Sequence, residues 1–178
     1  GDPDLILAAV APVQVANTRF TQPLLFWHLS KDTDRPVVLA ISREGDALPK
    51  WRFRLNGAKQ GFHHISLRDA GVTLEPGAVY EWVVAVVEDE QFRSKDLVVT
   101  GFVRRTDVAG TLASSLNTTG TTGRADALAA AGLTHDWLGM LAGQAWRSQN
   151  DPAQAAYFTD LSRVLHISEV SPRNIRGQ

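Results

Sequence analysis

Leu74-Glu75-Pro76-Gly77-Ala78-Val79-Tyr80-Glu81-Trp82-Val83-Val84-Ala85-Val86-Val87 decides the architecture, because it reads as a tight turn feeding a long buried strand. Pro76 presets φ and Gly77 accepts a positive φ at no steric cost, which is turn chemistry. The run behind them is β-branched and aromatic, which is strand chemistry. Alternation sets Tyr80, Trp82, Val84 and Val86 on one face, with Val79, Glu81, Val83, Ala85 and Val87 on the other.

Upstream, Leu5 to Val10 and Val13 to Ala16 read as a first strand interrupted at Pro12, which suits an edge strand or one that switches sheets. Pro23 to Leu29 is a second strand, with Leu25, Trp27 and Leu29 opposite Leu24, Phe26 and His28. Pro36 to Ile41 is a continuous apolar run, as in a strand buried on both faces. Trp51, Phe53 and Leu55 alternate with Arg52 and Arg54, and Asn56-Gly57 reads as a turn. Phe62 to Leu67 turns Ile65 and Leu67 inward and His64 and Ser66 outward. Downstream, Glu88 to Lys95 is a charged hairpin connection and Leu97 to Arg104 the last strand. The spacing of Leu74, Pro76, Gly77 and Tyr80 is similar to the tyrosine corner of fibronectin-III and immunoglobulin-like sandwiches. The expected fold is mainly β: a fibronectin-III/Ig-like Greek-key β-sandwich of about seven strands, with a C-terminal helical appendage packed on one sheet.

Beyond the strands the period changes. Residues 107–123 are small, polar and Gly-punctuated, and read as a flexible linker. Residues 124–168 read as helical. Arg124 to Ala131 stops at Gly132, and Thr134 caps a helix from Asp136 to about Gln149. A third helix opens with Asp151, Pro152 and Gln154 as cap, N1 and N3, buries Tyr157, Leu161, Val164 and Leu165, and makes a hairpin around Asn150. The sandwich over 5–106 and the helices are expected to form one compact unit. In that unit the helices cover the outer face of the strands containing Val83, Ala85 and Val103.

Composition narrows the chemistry. The chain has 178 residues, 44% of them hydrophobic and 21% charged, an ordinary globular balance able to bury a sizeable core. A formal net charge of -1 gives no field for nucleic acid or anionic lipid. Cysteine is absent, which excludes disulfides, thiol catalysis and cysteine-zinc sites. No apolar run reaches membrane-spanning length. Gly1-Asp2-Pro3-Asp4 has no basic region, so any leader is expected to have been removed ahead of Gly1.

The order of motifs resembles a bacterial family of unknown function, DUF928. The matching pieces are Pro23 to Trp27, Leu74 to Gly77 with Tyr80 and Trp82, Arg93 to Asp96 followed by Gly101 to Arg104, and Ala131 to Leu138. The resemblance spans roughly residues 20–167. It implies an exported protein, periplasmic or extracellular, because members commonly carry a leader. It implies no substrate, cofactor or catalytic residue.

Several residue groups invite a functional reading. His63 and His64 are adjacent on a strand, so they face opposite sides and do not share a metal. Glu88-Asp89-Glu90 offers carboxylates to a cation such as Ca²⁺ but lacks the alternating oxygens of a dedicated loop, and reads as a solvated turn. Ser114-Ser115 with His135 and Asp136 supplies the residue types of nucleophilic catalysis without a nucleophile elbow. Gly120 to Gly123 lacks the lysine of a phosphate loop, and Asn117-Thr118-Thr119 reads as plain linker. Trp51, Arg52, Arg54 and His64 are the candidate ligand or partner surface. No cofactor, metal or catalytic residue is expected. The expected function is a non-catalytic binding or scaffolding module of the cell envelope with a protein partner. The alternatives are a carbohydrate-binding module and an enzyme with its site between sandwich and helices.

Overall fold

The computed structural model describes residues 4–108, 110–118 and 120–148. The helix expected from Asp151, with Tyr157, Leu161, Val164 and Leu165, and the hairpin around Asn150 lie outside the described residues. Within them the chain forms β1 (Leu7–Ala9), β2 (Ala16–Thr18), β3 (Leu24–Leu29), β4 (Thr33–Arg43), β5 (Trp51–Ala58), β6 (Gly61–Ser66), β7 (Val79–Val86) and β8 (Leu97–Arg105). A 3₁₀ turn at Arg93–Lys95 precedes β8, and α1 (Gly110–Thr118), α2 (Thr121–Ala130) and α3 (Thr134–Ser148) follow it. The fold is mainly β.

Two sheets face each other across one core. One has the order β1-β3-β6, the other β2-β8-β7-β4-β5. All pairings are antiparallel except β2 on β8, which is parallel. The chain changes sheets between β1 and β2, at the interruption marked by Pro12. Leu25, Trp27 and Leu29 from one sheet meet Val37, Leu39, Ile41, Tyr80, Trp82, Val84 and Val86 from the other. At the turn before β7, Gly77 has φ +76°. The Glu75 N–H donates to Tyr80 Oη at 3.2 Å, the backbone anchor that the corner spacing predicts. Trp82 lies against Gly101, its partner across β8: a Cβ there would stand 2.5 Å from the indole. Glycine at 101 is therefore the space the indole fills.

Three expectations are corrected. First, the described helices do not cover the outer face of β4, β7 and β8; they lie on the three-stranded sheet and on β2, the edge strand of the five-stranded one. α3 lies over β3, β6 and β2, with Leu138 and Ala142 against Phe26 and Val10. A Cβ at Gly143 would sit 3.7 Å from the Phe26 ring, so the glycine lets the helix approach closely. Val83 remains partly exposed. Val103 is not on an outer face at all: it pairs with Tyr80 and points into the core. Second, most of the residues read as a linker over 107–123 are helical, as α1 and the first turn of α2. Leu112 and Leu116 pack with Leu128 and Leu133, and that burial outweighs the weak local propensity. Third, Asn56-Gly57 does not turn the chain. β5 continues to Ala58, and Gly57 (φ +94°) faces an irregularity in β4 between Thr33 and Pro36, where a Cβ would meet the Thr33 carbonyl at 2.9 Å. The stop at Gly132, with φ +69°, is as expected, and α3 begins at Thr134 rather than Asp136.

Because Trp82 is 1% exposed and has no room to retreat, Gly101→Ala is expected to destabilise the protein by about 1–3 kcal/mol. Urea unfolding read by tryptophan fluorescence checks this.

Candidate functional site

The connection from β2 to β3 crosses the first turn of α3, and one buried carboxylate holds it there. Thr18 Oγ1–H donates to Asp136 Oδ1 at 2.5 Å, and Arg19 N–H donates to Oδ2 at 3.1 Å. The Arg19 Nε stands 3.6 Å from Oδ2, an ion pair longer than a hydrogen bond. Thr18 Oγ1 itself accepts from Phe20 N–H at 3.1 Å. Asn17 extends the junction, accepting from Arg104 Nε at 3.1 Å and reaching the Gly132 carbonyl at 3.5 Å. Burial pushes the Asp136 carboxyl above its ordinary value, against the pull of the Thr18 and Arg19 donors.

His135, beside it, is buried and faces the start of β3. Its Nε2 lies 2.9 Å from the Leu24 carbonyl oxygen. That oxygen only accepts, so Nε2 carries the proton. Burial holds the imidazole below its ordinary value of 6.5. A neutral ring protonated on Nε2 leaves a lone pair on Nδ1, and that atom is buried without a hydrogen-bond partner.

Between these elements lies a cleft of about 370 Å³. One wall is the crossing, with Arg19, Phe20, Gln22, Pro23 and Leu24, and Phe26 of β3 lies behind it. The opposite wall is Arg124 and Leu128 of α2 with His135, Asp136, Gly139 and Met140 of α3. The Arg124 Nε is buried without a hydrogen-bond partner. Among the described residues no carboxylate pairs with its guanidinium, whereas Arg19 is committed to Asp136 and lies 4.8 Å over the Phe20 ring. At Gly139 a Cβ would meet nothing within 4 Å, so the middle of α3 leaves open space facing the cleft.

The candidate surface read from the sequence is not brought together. Trp51 sits on the inner face of β5, stacked on Phe53 with ring centroids 5.7 Å apart. Arg52 and Arg54 pair across β4 with Ala40 and Val38, on the opposite face, and Arg54 bonds Glu90 at 2.5 Å. His64 belongs to the other sheet, between Phe26 and the edge of Trp146 on α3. His63 faces the other way, stacked on Trp27. In the acidic turn, Glu88 pairs with Arg35, while Asp89 Oδ1 accepts from Gln91 N–H at 2.8 Å. The Ser114 hydroxyl donates to the Gly110 carbonyl within α1 and does not line the cleft. Of the residues singled out beforehand, His135 and Asp136 reach the cleft; Arg19, Arg124 and Gly139 were missed. Gly139 carried a signal, since a glycine inside a helical stripe costs about 1 kcal/mol against alanine and needs a reason.

The family described as Domain of Unknown Function (DUF928) matches residues 2–175, almost the full length. The chain belongs to the DUF928 family. No curated protein matches it. In this DUF928 chain the polar groups of the cleft divide by commitment. Asp136 and the Nε2 of His135 are spent on holding backbone. Arg124 Nε and His135 Nδ1 have no hydrogen-bond partner among the described residues.

His28 and His64, like His135, are held below 6.5 mainly by burial. A base whose folded value is depressed takes up its proton more readily in the unfolded chain. The stability this contributes is present above about pH 6.5 and is lost as pH falls through the folded values. The urea midpoint is therefore expected to drop on acidification from about pH 7 to about pH 5. The drop should be shallower in His135→Gln, with His28 and His64 supplying the remainder.

Proposed function

We propose that this DUF928 protein is a non-catalytic binding module of the bacterial cell envelope, and that it recognises a protein partner in the cleft between the β2–β3 crossing and helices α2 and α3. The observation that carries this reading is the uncommitted Arg124 guanidinium among apolar walls formed by Leu24, Phe26, Leu128 and Met140. A few polar groups in an apolar concavity is the general form of a recognition site. The groups with catalytic potential point away from turnover: Asp136 accepts from Thr18 and Arg19 rather than orienting His135, and His135 Nε2–H donates to the Leu24 carbonyl. The strand order supports an immunoglobulin or fibronectin-III-like Greek key, with β1-β3-β6 opposite β2-β8-β7-β4-β5 and the tyrosine anchor at its corner. Such sandwiches commonly serve in recognition, an argument by analogy of fold. The envelope location rests on what family membership implies.

Affinity capture from solubilised envelope extract tests this with a plugged cleft as control. Gly139→Leu fills open space and replaces a helix-disfavouring residue, so the fold should be retained. A partner held by the wild type and lost with Gly139→Leu is the expected result; capture indifferent to the plug removes the cleft from the reading.

One observation favours the carbohydrate alternative. Trp51 and Phe53 lie nearly parallel, at 14°, and Phe53 is 44% exposed at the sheet edge. An exposed ring backed by a parallel, half-buried one can stack a sugar. If they do, mobility in polysaccharide-containing gels should be retarded for the wild type and restored by Phe53→Ala; equal mobility of both proteins rejects the platform.

A further inference from the structure

We propose that the cleft receives the free C-terminal end of a partner polypeptide, with the terminal carboxylate on Arg124, the last amide N–H on His135 Nδ1, and an apolar last side chain against the walls. This rests on the reading of the cleft as the recognition surface and names what that surface takes.

Charge gives the first part. Arg19 is neutralised by Asp136, so among the described residues that line the cleft Arg124 is the cation left over. A half-buried guanidinium without a partner favours an anion, and its planar fork suits a carboxylate. The second part comes from His135, which is 4% exposed and lines the cleft. Its Nε2 proton is fixed on the Leu24 carbonyl, so Nδ1 can only accept. An acid alone leaves that atom unsatisfied, because a carboxylate brings no donor. The last residue of a polypeptide carries both groups on one Cα: a carboxylate for Arg124 and an N–H for Nδ1. Size gives the third part. At about 370 Å³ the cleft is near the small end of ligand sites. It has room for a chain end and not for a folded element. Leu24, Phe26, Leu128 and Met140 set the preference for an apolar last side chain, and Gly139 provides the depth. Capture of a chain terminus is an established mode of peptide recognition.

The test uses the full chain and an array of short peptides with free C-termini, each of the twenty residues in turn at the last position. Binding is expected for Leu, Ile, Val, Met and Phe ends and not for acidic or basic ones. For the best peptide, amidating the C-terminus should weaken binding about tenfold or more, as expected for loss of a charge-assisted contact. Replacing the last amide by an ester removes the N–H and should weaken it further. Arg124→Gln should abolish the difference between free acid and amide while leaving the unfolding midpoint near the wild-type value. Gly139→Leu should remove binding altogether. Equal binding of acid and amide overturns the terminal-carboxylate inference and leaves the cleft reading intact, provided Gly139→Leu still blocks. Binding of dodecanoate with no peptide bound assigns a fatty carboxylate and overturns the peptide end. No binding of any peptide overturns the inference, and the plugged-cleft capture then judges the cleft by itself.

Discussion

A buried carboxylate is the constraint on which the shape of this protein depends. Taking Asp136 out of water is costly, and the cost is offset only if donors replace the lost hydration. Thr18 and Arg19 supply them, from a segment 117–118 positions away in sequence. The bonds fix the chain leaving β2 against the first turn of α3, where the helix dipole also favours a negative charge. That contact acts together with the His135 bond to the Leu24 carbonyl, the reach of Asn17 to the Gly132 carbonyl, and the packing of Val10 and Phe26 on Leu138 and Ala142 to set the crossing against α3.

The carboxylate can act this way because the strand that carries its donors is itself held rigidly. β2 is short and would not stand alone, but it runs parallel to β8, with Ala16 beside Val103. β8 in turn is seated on β7 by the Trp82 indole over Gly101 and by Tyr80 beside Val103. The Tyr80 hydroxyl closes the turn at Glu75. A line of packed contacts therefore runs from the centre of the core through β8 and β2 to Asp136. The apolar core places the polar junction, and the junction places the cleft.

Much of this was legible in the sequence where a signal was local. Alternation located the inward stripes of β3 and β7, Pro12 marked the change of sheet, and the Pro76-Gly77-to-Tyr80 spacing predicted an anchored corner. What failed was long-range. The outer stripe Leu24-Phe26-His28 is as apolar as Val83-Ala85, so composition did not decide which sheet α3 would cover. Reading β8 without its partner put Val103 on the wrong face, since parity is fixed only by pairing with Tyr80. The helix over 110–118 has poor intrinsic propensity and forms because Leu116 finds Leu128 and Leu133. The cleft was hidden for the same reason. Arg19 and Arg124 look like solvated surface charges until the fold brings them to one concavity, and His135-Asp136 look like a catalytic pair until their partners are seen.

Three departures from economical design meet in that concavity. A glycine sits in the middle of α3 where almost any other residue would make a better helix. Among the described residues the buried Nδ1 of His135 has no hydrogen-bond partner, and the half-buried guanidinium of Arg124 has no counter-ion. Buried nitrogens without a hydrogen-bond partner also occur at Trp27, His64, Trp82 and Arg105, so what marks the cleft is that its departures share one concavity, whereas the guanidinium of Arg54 has Glu90 and Lys59 has Asp32. Local rules broken together at one place are the mark of a site shaped for something other than stability. An occupant that supplies an anion, a donor and apolar bulk relieves all three at once, so its binding energy and the stability it confers come from the same contacts.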